Sequence, residues 1–185
     1  MKVECLADLE KRSDAGQIDL LYGDESHFSL LPYVPRAWVF ADETVVLPSE
    51  RGGNLSAFAL LSRSNRCFVR TTEGRVTGDW IAEQIDAFAE GLSRLTVVVL
   101  DNAAVHIKAV KERLQSWEDK GLFVWFLPTY SPQLNIAEIL WKKVKYEWLQ
   151  PCHYRDKATL HEAVNAILGA VGTTFRIAFK AFGKV

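Results

Sequence analysis

The stretch LTVVVLDNAAVH, residues 95–106, decides the fold. Apart from Thr96 it opens as an apolar run rich in β-branched residues, and it stops at Asp101. A short run of this kind, bounded by polar residues, reads as a strand buried on both faces of a sheet. A helix is expected over 103–118, stopped by Gly121. LFVWFL, 122–127, then reads as a second buried strand. Strand, helix and strand alternate here, as in an α/β fold. In open α/β sheets ligands gather at the carboxyl ends of strands, and Asp101 stands at such an end.

Working outward, the helical spacing of Trp80, Ile81, Ile85, Phe88 and Leu92 predicts a helix over 77–92, with Thr77 as N-cap. Upstream, strands are expected at 18–30, near Trp38–Phe40, at 55–62 and at 67–72, with a short helix at 3–12. On strand 18–30 the residues Leu20, Tyr22, Asp24, Ser26 and Phe28 share one face. Downstream, helices are expected at about 136–149 and 157–170, while the tail FRIAFKAFGKV receives no assignment. Closely linked strands followed by strand–helix alternation imply an α/β fold, a mixed sheet with helices packed on it.

A chain of 185 residues fits one domain, and 49% apolar with 24% charged residues marks a globular class. The expected division is an N-terminal helix and linker at 1–17, a core at 18–150, and a helical segment of the same domain at 151–185. No apolar run approaches the roughly 20 residues that span a bilayer. MKVECLADLEKR has no apolar signal core, so the expected compartment is the cytoplasm. Cys5, Cys67 and Cys152 are scattered, as reduced thiols are. Net charge is −1, yet residues 1–30 carry three basic and seven acidic groups and residues 139–185 eight and three. The basic C-terminal quarter suits phosphate contacts, and acids elsewhere suit a metal; ordinary charge scatter is the plainer alternative.

Three carboxylates carry the chemistry. Asp101 at a strand end needs a partner, because burying a lone charge is costly; capping the next helix is its simpler role. Asp24 interrupts the apolar face of its strand, with an edge-strand charge as the alternative. Glu25 points to the opposite face and should not pair with it. Glu138 opens the helix of LPTYSPQLNIAEILWKKVK, 127–145, where Asn135 and Glu138 have capping-box spacing and Glu138 and Lys142 have i,i+4 spacing. On that helix Ala137, Leu140, Trp141, Val144 and Trp148 form an apolar stripe, and Glu138, Lys142 and Lys145 a polar one. A carboxylate followed by two lysines fits a metal ligand beside a phosphate track. His106, in the first turns after Asp101, is either exposed or a donor to a phosphate or water.

With LLYGDESHF (20–28), PRAWVF (35–40), VVVLDNAAVHIK (97–108) and LPTYSPQLNIAEILWKKVK (127–145) in view, the chain resembles the catalytic domain of bacterial insertion-sequence transposases related to the mariner elements. These belong to the DDE superfamily, with a ribonuclease-H-like fold. The resemblance implies that Asp24, Asp101 and Glu138 bind two Mg²⁺ ions, with Mn²⁺ as substitute. It implies Asn102, His106 and Asn135 as supporting residues, and Lys142 and Lys145 along DNA. It further implies double-stranded DNA as partner, cleavage and strand transfer, a homodimer in the active complex and a place at the bacterial nucleoid. Such relatives carry N-terminal helix-turn-helix modules, whereas about 17 residues precede the first strand here. A separately encoded DNA-reading portion is therefore expected. Rival readings are a silent DNA-binding remnant, an aspartyl-phosphate phosphatase, and a ribonuclease H or junction resolvase.

Overall fold

The computed structural model describes residues 2–32, 41–42, 52–102, 104–129 and 131–180, with the backbone alone at 2, 3 and 104–107. Its elements are α1 (Lys2–Asp14), β1 (Asp19–Phe28), β2 (Leu55–Leu61), β3 (Cys67–Thr72), α2 (Gly78–Ala89), β4 (Thr96–Leu100), α3 (Ala104–Glu118), β5 (Leu122–Phe126), α4 (Ala137–Lys143) and α5 (Lys157–Gly169). The strand expected near Trp38–Phe40 lies outside the described residues.

The sheet order is β3-β2-β1-β4-β5. β1 pairs antiparallel with β2 and parallel with β4. β2 and β3 are antiparallel, and β4 and β5 parallel. This is the mixed sheet anticipated, with helices on both faces. One face carries Leu21, Phe58, Leu60, Val98 and Leu100 against α2 and α3. The other carries Leu20, Tyr22, Val97 and Val99 against Leu6 of α1 and Ile136 and Ala137 at the start of α4. Farther along that second face, Phe28, Leu55, Ala57, Ala59 and Leu61 meet Leu140, Trp141 and the α5 residues Leu160, Val164 and Leu168.

Local signals explain the boundaries. The Thr77 hydroxyl accepts from the Trp80 N–H at 3.2 Å and starts α2. Gly121, at φ +81°, ends the α3 turn in a conformation that a side chain disfavours. The Trp117 indole, fully buried, donates to Asp86 at 2.6 Å and joins α3 to α2. Removing that ring is expected to cost about 3–5 kcal/mol.

Two expectations need correction. β5 is an edge strand rather than a strand buried on both sides, and Phe123 is 39% exposed. The helix expected to run evenly over 136–149 is α4 followed by a π-helical turn, Val144–Trp148, in which the Leu149 N–H reaches the Val144 carbonyl at 2.9 Å. The tail, unassigned from sequence, packs inward: Ile177 is buried, and its N–H and carbonyl bond the Asn65 side chain at 2.6 and 3.0 Å.

Candidate functional site

The sheet's register brings the first two acids together. Gly23 on β1 pairs with Leu100 on β4, so Asp24 and Asp101 are the next residues on neighbouring parallel strands. A Cβ at Gly23 would stand 2.5 Å from Leu100 Cδ2 and 3.0 Å from Leu60 Cδ2, so a side chain here would force those leucines to shift.

The third acid comes from α4. On β1, Asp24 lies between Tyr22, which packs with Ala137, and Phe28, whose ring meets that of Trp141 edge-on at 6.2 Å. Glu138 lies between Ala137 and Trp141 and so faces the same stretch of β1. Asn135 fixes this approach. Buried at 3% exposure, it donates from Nδ2 to the Gly23 carbonyl at 3.0 Å and accepts the Ala137 N–H at 3.1 Å. The capping box suggested by the sequence does not form around Glu138, because the Asn135 N–H goes to the Pro132 carbonyl at 2.9 Å. Nor does Glu138 pair with Lys142; the i,i+4 ion pair here joins Lys143 to Glu147 at 2.6 Å.

Asp24, Asp101 and Glu138 line one cavity of about 350 Å³. Asn102, Leu127, Pro128, Thr129, Ser131, Pro132 and Asn135 complete its wall. The Leu127 N–H continues the β4–β5 ladder to the Leu100 carbonyl at 2.9 Å, which sets the following loop over the strand ends. Asn102 donates to the Thr129 hydroxyl at 3.3 Å and ties the β4 end to that loop.

Charge in this cavity is strained. Burial pushes the Asp24 carboxyl up to about 8, helped by the negative charges of Glu25, Glu138 and Asp101. Glu25 is absent from the cavity wall, since its partner Phe58 belongs to the α2–α3 face. It acts on Asp24 through proximity along the chain. Among the described residues, no three His, Cys, Asp or Glu side chains stand close enough to hold one ion as placed. Carboxylates that repel one another keep apart in the absence of a cation.

The remaining candidates separate. The His106 side chain lies outside the described residues, although its backbone is in the first turn of α3. Lys142 is exposed. Lys145 is half-buried with its Nζ 5.5 Å from the centre of the Phe28 ring, and burial lowers its pKa against the pull of Glu138 and Asp24. It faces the acids as well as solvent. In the basic C-terminal quarter, Arg155 and Lys157 are engaged with Asp156 and Glu73. Sequence alone does not single out Gly23, Thr129 and Ser131. The Gly before Asp24 and the hydroxyls within PTYSP were the available signals.

A family model described as DDE superfamily endonuclease matches residues 19–161. The chain belongs to the DDE superfamily endonucleases. No curated protein matches in sequence. Among solved structures, the Mos1 mariner paired-end complex with Mn is similar at TM-score 0.65 and 16% identity, over 91% of this chain and 53% of that one. The Mos1 paired-end complex with the left transposon end gives 0.63 and 17%, over 91% and 53%. A simian T-cell lymphotropic virus intasome gives 0.53 and 12%, over 90% and 58%. The DDE-superfamily chain thus has the ribonuclease-H-like fold of these proteins and spans about half the length of the Mos1 chains. Among the described residues, no helix is long and apolar enough to cross a membrane.

Proposed function

We propose that this chain is a transposase catalytic domain that cuts DNA phosphodiester bonds and joins strands, with Asp24, Asp101 and Glu138 holding two Mg²⁺ ions, or Mn²⁺ in their place. The observation that carries the reading is the single cavity lined by all three acids, in which Asp24 is held up to about 8 by burial and by its acidic neighbours. Hard divalent cations take oxygen ligands, and three carboxylates from separate elements on a rigid sheet supply them. Bound there, such ions activate a hydroxyl nucleophile and stabilise the leaving oxygen.

The chain's own residues supply position and charge. The parallel pairing of Gly23 with Leu100 makes Asp24 and Asp101 the next residues on neighbouring strands. Asn135 holds the start of α4 against β1 and sets Glu138 over them. Asn102 holds the loop that roofs the cavity. Lys142, exposed one turn beyond Glu138, lies where it can meet a backbone phosphate. His106 is a further donor at the start of α3. The likeness to a paired-end complex with a transposon end supports DNA as partner; double-stranded DNA and a homodimeric active form are part of the same proposal. A helix-turn-helix portion outside the catalytic domain would read the transposon ends, in a cytoplasmic, nucleoid-associated protein.

Incubation of the chain with a labelled duplex, with and without Mg²⁺ or Mn²⁺, tests this reading. Metal-dependent nicking that disappears in Asp101→Asn is the expected result. Equal cutting by the variant, or an inert parent chain beside a refolding control, overturns it in favour of a silent remnant.

A further inference from the structure

We propose that Ser131 and Thr129 are substrate-contacting residues, the neutral hydroxyl donors that hold the scissile phosphodiester against the three acids. This rests on the phosphodiester chemistry proposed above and names the groups that bind its anion.

The cavity wall contains few donors for an anion. Asp24, Asp101 and Glu138 accept. The Asn135 amide nitrogen donates to Gly23 at 3.0 Å, and that of Asn102 to Thr129 at 3.3 Å. Leu127, Pro128 and Pro132 line the cavity with apolar surface. Among the described wall residues, the hydroxyls of Ser131 and Thr129 remain as donors not spent on the protein, beside the second amide N–H of Asn102.

Both are arranged to donate. Ser131 stands at the N-cap of the short 3₁₀ turn Pro132–Leu134, where a serine oxygen ordinarily accepts a backbone N–H. Here it makes no cap bond, and the Leu134 N–H goes instead to the Ser131 carbonyl at 3.1 Å. Its hydroxyl has no hydrogen bond among the described residues. The Thr129 oxygen already accepts from Asn102, which directs its own proton elsewhere.

Neutral donors also suit this charge pattern. A lysine at either position would pair with the carboxylates and compete with divalent cations. A hydroxyl coexists with three acids, yet donates to a non-bridging phosphate oxygen once cations have neutralised them. The apolar wall thins the water around that bond and strengthens it.

The test uses the full chain and its variants Ser131→Ala, Thr129→Ala and the double, with Ser131→Thr as a rescue. Single-turnover nicking of a duplex in Mn²⁺ is measured with oxygen, Rp-sulfur or Sp-sulfur at one scissile position. Mn²⁺ binding is followed separately by calorimetry, and duplex binding in Ca²⁺ by fluorescence anisotropy. The alanine variants are expected to nick roughly 10- to 100-fold more slowly, with Mn²⁺ affinity unchanged and Ser131→Thr restoring most of the rate. One sulfur diastereomer should slow the parent chain but add no further penalty in the matching alanine variant. Unchanged nicking, or an undiminished sulfur penalty in both variants, overturns the proposal. Should the parent chain prove inert, the transposase reading falls by itself. The anisotropy arm then still decides the hydroxyls: severalfold weaker duplex binding in the double variant supports them, and equal binding overturns them.

Discussion

The side-chain amide of Asn135 donates to the main-chain carbonyl of Gly23 at 3.0 Å, joining the start of α4 to the residue before Asp24. One buried side chain therefore sets the relation between two elements that carry two of the three acids. Its oxygen accepts the Ala137 N–H at 3.1 Å, so both ends of the amide are used. Asn135→Ala leaves two buried backbone groups unpaired and should cost about 2–4 kcal/mol. Urea unfolding measures it, and a loss below about 0.5 kcal/mol would refute the role. Cleavage should fall further than stability predicts, because Glu138 loses its fixed approach.

Asp24 gives a pH signature. Its carboxyl is held up to about 8 against an ordinary value of 3.8, chiefly by burial. A raised carboxyl stays protonated in the folded chain after the unfolded chain has released its proton. The contribution of Asp24 to stability is thus fully present below about pH 4, declines as pH rises toward 8, and then levels. Asp24→Asn removes the penalty. Without divalent cations its melting temperature should exceed the parent's clearly at pH 8.5 and only slightly at pH 5, while cleavage is abolished. Added Mg²⁺ should raise the parent's melting temperature more at pH 8 than at pH 6, and the variant's little at either. A parent chain whose stability rises between pH 5 and 8 as Asp24→Asn stays flat would contradict the assignment.

Much of this arrangement is legible in the sequence, and the gaps have physical causes. The run Val97–Leu100 and the alternation around Asp24 carry their strand assignments, because period two and unbroken apolarity are backbone signals. The edge position of β5 is not legible, since LFVWF is as apolar as a central strand and only pairing reveals that one side is open. The π turn after Lys143 leaves no mark on a 3.6-residue pattern, yet it alters where Lys145 projects. Gly23 is readable only after the register is known. The tail resisted assignment because Ile177 is held by a side chain 112 positions earlier, Asn65, and not by local periodicity. For the site, sequence supplied the acids, whereas the neutral wall of the cavity came from the fold.

The two lysines after Glu138 should behave differently. Lys142 is exposed, so Lys142→Ala should weaken binding to any duplex and reduce the slope of log K against log salt by about one. Lys145 is half-buried beside Phe28 and faces Glu138 and Asp24. Its removal takes positive charge from the acids. Lys145→Met should therefore destabilise the metal-free chain at pH 8 and change the salt slope less than Lys142→Ala does. Anisotropy titrations at several salt concentrations, with thermal melts alongside, separate the two. Identical salt slopes for both variants would remove the distinction.

Duplex recognition by this chain should be weak, salt-dependent and nearly blind to sequence. Phosphate contacts from the exposed Lys142 give affinity without base readout. End-reading by a helix-turn-helix needs a recognition helix, presented by a second helix across a tight turn and open to a groove. Before β1 the described residues form the single helix α1, and it is committed to the fold. Leu6 is fully buried, while buried Glu10 accepts from the Tyr22 hydroxyl and from Arg63 Nε at 2.7 Å. Pulling α1 away to read DNA would strand those polar groups and open the core under β1. A transposon-end duplex and a scrambled duplex of equal length should then compete equally for the isolated chain at both low and moderate salt. A preference for the end of roughly 100-fold, about 2.8 kcal/mol, would instead assign sequence specificity to the catalytic domain itself.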